Sequence, residues 1–290
     1  MKKLALPKWK LAEPDGNVQV VRMTTTGLGW KQWFLKLADL HLDSVFCDRR
    51  LLKALLEKAK EKSAPIAIYG DLLDIMQGKS DKRSDTGEMR KEYVGIPGVK
   101  YLDAVVDDCV SFMEPYVPWI QFISDGNHGQ SVASHTETDI IVRICDALGV
   151  QHMRYSGWVR YQGKRDTGGH KWSRLEYFHH GSGGSSPVTL GMIGTNRRQA
   201  AYVADLYISG HNHNQFTANR PYATVNPSGR EIVVNTLHVN IPSLKNEYSA
   251  HGGFHTITGK PPKPIGGTWL FFEHHPRARN NINVDVVQAR

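Results

Sequence analysis

Residues 33–74, WFLKLADLHLDSVFCDRRLLKALLEKAKEKSAPIAIYGDLLD, predict a strand, a helix and a second strand in succession. The apolar run at 33–37 is typical of a buried strand. Asp48 can cap a helix that continues to about Ser63, because leucines recur there at helical spacing. Pro65 ends this helix, and residues 66–69 form the second buried strand. Each strand leads into a short polar segment.

The same pattern recurs once more and then changes. We expect a helix at 99–116, a strand at 119–123 and a helix at 136–148. The second half is rich in strand-like runs, at 155–161, 171–178, 206–209, 231–239, 268–273 and 283–287. A βαβα first half and a β-rich second half predict an α/β fold of two mixed sheets with helices outside. We assign residues 1–30 to an N-terminal extension with an edge strand and residues 31–290 to a single domain.

Polar side chains that could bind metal follow five of the predicted strands. They are Asp39 with His41, Asp71, Asn127 with His128, His179 with His180, and His211 with His213. Ligands of open α/β sheets collect beyond the carboxyl ends of strands. Mixed carboxylate, imidazole and amide groups favour a transition metal, whereas magnesium and calcium prefer cages of oxygen alone. We also expect the Asp-x-His and His-x-His pairs to point to one side, as alternate residues of extended chain do.

Each of these residues has an ordinary structural alternative. The aspartates could be helix caps or turn formers, and the histidines could be polar surface residues. Taken singly, the ordinary role is the more common one. The ordered set of five strand-end motifs favours a metal site.

This order of motifs resembles the calcineurin-like metallophosphoesterase superfamily. The resemblance rests on Asp39-Leu40-His41, Gly70-Asp71-Leu72-Leu73-Asp74, Gly126-Asn127-His128, His180-Gly181 and Gly210-His211-Asn212-His213, within about residues 34–215. It implies a four-layer αββα sandwich of two mixed β-sheets flanked by helices, with a dinuclear metal centre at one edge. Manganese is the metal we expect first, with iron, zinc, nickel or magnesium as alternatives.

The resemblance also implies a role for each motif residue. The first ion would be held by Asp39, His41 and His213, and the second by Asn127, His180 and His211. Asp71 would bridge the two ions. His128 would donate a proton to the leaving oxygen or steady the phosphate, and Asp74 would orient His128. Two ions roughly 3.5 to 4 Å apart can activate a bridging hydroxide and clamp a phosphate for in-line attack.

The chain departs from the family pattern at one position and is ambiguous at another. Gly129 follows the Asn-His pair, where the family often has an acidic residue, so no role is expected for that position. His179 and His180 are adjacent, and neighbours in a strand face opposite ways. We choose His180 as the ligand because the family ligand commonly precedes glycine, and His179 remains the alternative.

Charge and composition bear on the substrate. Lys and Arg outnumber Asp and Glu by 36 to 28, a formal charge of +8, which suggests a polyanionic partner such as nucleic acid. A hairpin at 155–178 carries interleaved aromatics and a basic tip with Lys164 and Arg165, which suits either a nucleic-acid contact or a half-buried amphipathic hairpin. The basic loop at 77–98, with Lys82 and Arg83, could contact substrate or be a solvated loop.

We therefore expect a metal-dependent phosphodiesterase or nuclease. The alternatives are a phosphomonoesterase or small-nucleotide phosphodiesterase, and a non-catalytic scaffold subunit, which usually loses metal ligands. The sequence contains no apolar run long enough to span a bilayer or act as a signal peptide. Its three scattered cysteines suit a reducing compartment, so we expect a cytoplasmic protein without membrane contact.

Overall fold

The computed structural model describes residues 9–27, 29–75, 86–166, 171–183, 186, 189–248, 253–276, 278 and 282–290. Within them the strands are β1 Trp9–Leu11, β2 Val18–Thr25, β3 Lys31–Leu37, β4 Ile66–Ile68, β5 Ile120–Ser124, β6 His152–Met153, β7 Ser156–Arg165, β8 Lys171–His179, β9 Leu206–Ser209, β10 Phe216–Val225, β11 Glu231–Asn240, β12 Gly267–His274 and β13 Ile282–Ala289. The helices are α1 Arg49–Glu61, α2 Gly98–Met113, α3 Asn127–Thr136, α4 Ile140–Leu148, α5 Met192–Ala201 and α6 Phe254–Thr258, and short 3-10 turns cover 86–88, 91–93 and 114–119.

The strands form two mixed sheets. One has seven strands in the order β1-β2-β7-β8-β9-β11-β10, and the other has six in the order β13-β12-β3-β4-β5-β6. In the six-stranded sheet β3, β4, β5 and β6 are parallel, and in the seven-stranded sheet β8 is parallel to β9. The predicted α/β fold of two mixed sheets flanked by helices is confirmed. The N-terminal residues join it, since β2 pairs with β7 along eight residues.

Aromatic side chains fill the space between the two sheets. The Phe34 ring on β3 lies 5.0 Å from the Tyr161 ring on β7, and the Phe122 ring on β5 stacks on Phe178 of β8 at 5.2 Å. All four are fully buried. Burying such rings contributes roughly 1.5–3 kcal/mol for each side chain, which makes this layer the main hydrophobic core.

A buried polar network crosses the same layer. Lys36 Nζ donates to the hydroxyl oxygens of Tyr69 and Tyr161 at 2.6 Å each and lies 3.2 Å from Glu176 Oε2. Both hydroxyls donate to the Glu176 carboxylate, and all four side chains are fully buried. Burial lowers the pKa of Lys36, and Glu176 opposes that shift. The network ties the six-stranded sheet to the seven-stranded one, because every buried donor and acceptor needs its partner across the interface.

Helix boundaries follow the capping residues. In α1, Asp48 accepts a hydrogen bond from the Leu51 backbone nitrogen at 2.8 Å, and the helix buries its leucine face as predicted. The predicted helix at 136–148 is wrong at its start. Glu137 adopts a left-handed conformation that ends α3, and Asp139 caps a new helix at Ile140 through the nitrogens of residues 141 and 142. The chain therefore turns between two short helices.

Candidate metal centre

The five strand-end motifs meet at one edge of the molecule. Asp39 and His41 follow β3, Asp71 follows β4, Asn127 follows β5, His180 follows β8, and His211 and His213 follow β9. The strands β3, β4 and β5 are parallel, so their carboxyl ends share one edge. The strands β8 and β9 are parallel in the other sheet. The two sheet edges together bring all seven side chains into one cluster.

The backbone of this cluster is in an unusual conformation. Asp39, His41, Asp71, His211 and His213 have φ angles of 52°, 47°, 43°, 71° and 56°. Left-handed backbone is uncommon outside glycine, and Asp and His tolerate it better than most residues. Our expectation that extended chain would align the i and i+2 side chains is wrong, because these residues lie in turns beyond the strand ends. Strained conformations concentrated in one place are typical of functional sites.

One group of possible ligands consists of Asp39, His41 and His213, whose ligand atoms lie within 4.8 Å of one another. His213 Nε2 is 3.8 Å from Asp39 Oδ1, and the rings of His41 and His213 are 5.3 Å apart. Asp39 Oδ1 and His41 Nε2 are buried and have no hydrogen-bond partner among the described residues. Unpaired buried polar atoms are costly, and a cation between them would satisfy both.

A second group consists of Asp71, His180 and His211, with Asn127 beside them. His180 Nε2 lies 3.2 Å from Asp71 Oδ2 and 3.1 Å from Asn127 Oδ1, and His211 Nδ1 lies 2.7 Å from the same Asn127 oxygen. Burial lowers the pKa of His180, but Asp71 and Asp39 outweigh it and the pKa rises to about 9. His180 Nε2 therefore holds a proton between the oxygens of Asp71 and Asn127, and a cation bound there would displace this proton.

The backbone carbonyl of Tyr69 orients His180. His180 Nδ1 donates to that oxygen at 2.8 Å, which directs Nε2 at the cluster. Metal-binding histidines commonly have such a partner on the second nitrogen. Tyr69 is also part of the buried Lys36 network, so the sheet interface and the site share this residue.

Asp71 lies at the centre of the cluster. Its Oδ1 accepts from the His128 backbone nitrogen at 3.0 Å, and its Oδ2 lies 3.9 Å from His128 Nε2. Burial raises the pKa of Asp71, but the nearby His180, His128 and His41 outweigh it and hold the pKa well below its usual range. This carboxylate is therefore ionised and faces histidines of both ligand groups.

A third group joins His41, Asp74 and His128. Asp74 Oδ1 lies 2.9 Å from His41 Nδ1 and 3.4 Å from His128 Nδ1, and the Asp74 carbonyl oxygen lies 2.6 Å from His128 Nδ1. With Nδ1 donating to that carbonyl, His128 Nε2 is left facing the cluster. Asp74 thus contacts the imidazole we expected it to orient and also that of His41.

Two further charged residues lie beside the cluster, and no sequence motif predicted them. Glu247 Oε2 lies 2.9 Å from His213 Nδ1, and Lys245 Nζ lies 2.7 Å from Asp74 Oδ2 and 2.6 Å from Glu88 Oε2. Burial raises the pKa of Glu247, but His213 outweighs it and the pKa falls to about 2. Both residues follow β11 outside every motif, and only the folded chain reveals them.

Glycines allow the strand ends to approach so closely. A Cβ on Gly126 would lie 2.1 Å from Asp71 Oδ1, and one on Gly70, whose φ is 86°, would lie 2.3 Å from His180 Nδ1. Gly129 is buried, and a Cβ there would lie 2.8 Å from Ile141 Cγ1. An acidic side chain would not fit at Gly129 without displacing Ile141.

The adjacent histidines face different surroundings. His180 is fully buried in the cluster, whereas His179 is half-buried and in none of the three groups. His179 Nδ1 accepts from the Gly181 nitrogen at 3.0 Å, and its ring meets the Tyr155 ring edge at 5.1 Å. Burial and the nearby Arg198 lower the pKa of His179 to about 4.

The hairpin of β7 and β8 is amphipathic. Tyr161 is fully buried and Trp172 is 4% exposed, so these aromatics belong to the core and are not available to stack on bases. Lys164 and Arg165 are exposed. They lie by the start of β8, about 26 Å from the cluster at its other end, given roughly 3.3 Å per residue. The loop residues Lys82 and Arg83 lie outside the described residues.

Cys47, Cys109 and Cys145 are free and buried. Among the described helices, none is both long and apolar enough to cross a bilayer.

Comparisons with known proteins found similar solved structures at low sequence identity. No family model matches the chain, and no curated protein sequence does either. Similar solved structures include Vps29 from Chaetomium thermophilum, with 10% identity, 89% of this chain and 95% of that chain covered and a TM-score of 0.38. A metallophosphoesterase from Sphaerobacter thermophilus has 13% identity, coverage of 89% and 90% and a TM-score of 0.37. A conserved protein from Streptococcus pneumoniae described as a predicted phosphoesterase has 10% identity, coverage of 90% and 91% and a TM-score of 0.33.

Proposed function

We propose that the chain is a metal-dependent phosphoester hydrolase of the calcineurin-like type, acting as a phosphodiesterase on nucleic acid. One observation carries the proposal. Two groups of carboxylate and imidazole ligand atoms, Asp39-His41-His213 and Asp71-His180-His211, lie side by side at the edge where the sheets meet. The first group contains unpaired buried atoms, and in the second His180 Nε2 lies close to the oxygens of Asp71 and Asn127; bound cations would satisfy both arrangements.

The donor set suits divalent transition metals. Asp39, His41 and His213 would hold one ion, Asn127, His180 and His211 the other, and Asp71 would bridge them. Mixed nitrogen and oxygen donors favour manganese, iron, zinc or nickel over calcium, and we expect manganese first. Two such ions would stabilise the negative charge of the phosphate and would lower the pKa of a bound water molecule towards neutral pH.

The residues of the chain supply the remaining chemistry. His128 Nδ1 is held by the Asp74 carbonyl, so His128 Nε2 can carry a proton to the leaving oxygen. The side chains of His128 and of the proposed ligand His213 are both 11% exposed, so both are accessible to a substrate. Lys245 balances the charge of Asp74, so that Asp74 remains an anion and keeps His41 and His128 in position.

The net charge of +8 favours a polyanionic substrate such as a nucleic acid. A phosphomonoesterase or a small-nucleotide phosphodiesterase would use the same centre and is the alternative. A non-catalytic scaffold is disfavoured, because all seven expected ligands and the acid His128 are present.

A substrate panel tests the proposal. Protein stripped with chelator and reloaded with Mn²⁺ would be incubated with single-stranded DNA, duplex DNA, RNA, cyclic nucleotides and an aryl phosphate, beside the Asp71→Asn variant. We expect the wild type to cleave polynucleotides and the variant not to. Turnover of the aryl phosphate or cyclic nucleotides alone would select the small-substrate alternative, and turnover of nothing with bound metal would select the scaffold.

A further inference from the structure

A cavity of about 420 Å³ adjoins the metal centre on its His211 side. Its walls are formed by α5, the chain at 181–183 and the end of β9, and they include Gly210 and His211. Arg197 and Arg198 both line the cavity. None of the described residues that line it is Asp or Glu. A concave site with two cations and no carboxylate in its walls suits an anion.

Arg198 is the cation built into this cavity. Its side chain folds back over the preceding helical turn, so that a Cβ added to Gly194 would lie 3.2 Å from Arg198 Nη1. Nη2 donates to Ser209 Oγ at 3.1 Å, and the buried Nε has no hydrogen-bond partner among the described residues. No carboxylate in the described part of the chain pairs with it. Burial lowers its pKa, yet arginine stays charged in proteins, so the half-buried guanidinium keeps its charge with no carboxylate partner among the described residues.

Hydrogen bonds tie Arg198 to the metal centre. Ser209 Oγ donates to Asn240 Oδ1 at 2.9 Å, and Asn240 Nδ2 donates to Asn212 Oδ1 at 2.8 Å. Asn212 stands between the proposed ligands His211 and His213. Ser209 ends β9 two residues before His211, and both residues line the cavity. The guanidinium is thus held by Ser209 in the cavity that His211 also lines.

His179 completes the polar lining. Its Nδ1 accepts from the Gly181 nitrogen, so the neutral ring carries its proton on Nε2 as a donor. This gives the half-buried His179, which is outside the metal groups, a place in the same cavity.

We propose that this cavity is a subsite for a second phosphate of the substrate, bound by the Arg198 guanidinium beside the phosphate that is cleaved. The inference rests on the proposed function and narrows its substrate to compounds that carry a second phosphate beside the one that is cleaved, as in a polynucleotide. The planar guanidinium presents paired donors that match phosphate oxygens, which a lysine ammonium cannot do. An incoming phosphate would satisfy the unpaired Nε and neutralise the half-buried charge.

Binding without metal tests the subsite separately from catalysis. Thymidine 3′,5′-bisphosphate and thymidine 5′-monophosphate would each be titrated calorimetrically into wild-type protein in EDTA. We expect the bisphosphate to bind about 10- to 100-fold more tightly, as for a charge-assisted hydrogen bond to a half-buried partner. Equal binding of the two nucleotides by the wild type would overturn the proposal without recourse to any variant.

Arg198→Gln should remove most of this difference, and Arg198→Lys should restore only part of it, because the lysine keeps the charge and loses the fork. Arg230→Gln removes the same charge at an exposed turn between β10 and β11 and should keep the wild-type difference. Circular dichroism would verify that each variant is folded. A folded Arg198→Gln that still distinguishes the two nucleotides would refute the assignment.

Turnover separates this inference from the proposed function. With Mn²⁺, the thymidine 5′-(p-nitrophenyl phosphate) substrate would be compared with the same compound carrying a 3′-phosphate. We expect wild-type kcat/KM to favour the 3′-phosphorylated form through KM, and Arg198→Gln to reduce that ratio about tenfold or more. Selective binding of the bisphosphate in EDTA without turnover of either compound would retain the subsite and reject the hydrolase.

Discussion

Lys245 Nζ lies 2.7 Å from Asp74 Oδ2 and is the buried cation that compensates this carboxylate. The same ammonium also contacts Glu88. Burial lowers the pKa of Lys245, but Asp74 and Glu88 outweigh it and raise that pKa, whereas burial raises the pKa of Glu88. Removing the lysine would leave two carboxylates facing each other in a mostly buried space. Removing one partner of a buried ion pair leaves the other charge buried without compensation. We therefore expect the loss of Lys245 to lower the free energy of unfolding by a large amount.

We predict that Lys245→Met lowers the free energy of unfolding by on the order of 3 kcal/mol. Urea unfolding of the metal-free protein would measure it. Lys31→Met is the matched control, since Lys31 pairs with Glu273 at 3.1 Å with its side chain 38% exposed, and should cost below about 1 kcal/mol. Equal losses in the two variants would show that Lys245 has no special role.

The carboxylate of Glu247 predicts an effect on metal affinity. It holds His213 Nδ1 at 2.9 Å, which directs His213 Nε2 toward Asp39. We expect Glu247→Gln to weaken Mn²⁺ binding about 10- to 100-fold, the usual cost of losing the partner of a ligand histidine. Isothermal titration with Mn²⁺ would measure it. Glu231→Gln, at an exposed end of β11, should bind as the wild type does.

Lys245 and Glu247 could not be predicted from the sequence, unlike the strands that carry the motifs. The strands β3, β4, β5 and β9 are apolar runs that stop at polar motifs, so the positions of these strands and of the candidate ligands at their ends could be predicted. Lys245 and Glu247 lie in an irregular segment with no periodicity, and their partners are 171 and 34 residues away in the chain. Only long-range packing brings them to the site.

The left-handed backbone conformation of the motif residues could not be predicted from the sequence either. The Asp-x-His and His-x-His spacings match extended chain as well as they match the turns that the structure contains, with φ angles of 52° at Asp39 and 71° at His211. Glycine would have signalled a left-handed residue, but Asp and His do not. The hairpin aromatics were ambiguous for a related reason, because alternating residues look alike whether their apolar face meets the core or a ligand.

The two adjacent histidines give a third prediction. His180→Ala should lose one of the two bound ions, because His180 Nε2 faces Asp71 and Asn127. His179→Ala should keep both, since His179 belongs to the neighbouring cavity. Elemental analysis of protein reconstituted with Mn²⁺ would measure the metal content. The reverse ranking would move the ligand assignment to His179.

His128 should affect rate without affecting metal. His128→Ala is expected to keep both ions and to lower the rate of phosphodiester cleavage by about 10² to 10⁴, the range for removing a positioned acid. Asp71→Asn is the contrasting variant and should lose both activity and metal. Metal content and single-turnover rates would be measured on the same preparations. Loss of metal from His128→Ala would mean that His128 is itself a ligand.

The final prediction concerns pH and His238, which is fully buried and stacks on the Tyr207 ring at 4.4 Å. Burial, with Arg198 and Arg220 nearby, lowers the pKa of His238 to about 4. Its unfolded pKa is about 6.5, so between these values the unfolded chain binds a proton that the folded protein does not. The free energy of unfolding therefore falls as the pH falls from 6.5 towards 4.

We expect His238→Phe to reduce this loss by about 2 kcal/mol between pH 7 and pH 5, since the ring stack remains and the titrating group is gone. Urea unfolding at the two pH values would measure it. Tyr207→Phe serves as the control, because it removes the hydrogen bond from the Tyr207 hydroxyl to the Tyr202 carbonyl and keeps the imidazole. It should be less stable than the wild type at both pH values and show the same pH dependence. If His238→Phe retains the full wild-type dependence, the proton is taken up elsewhere.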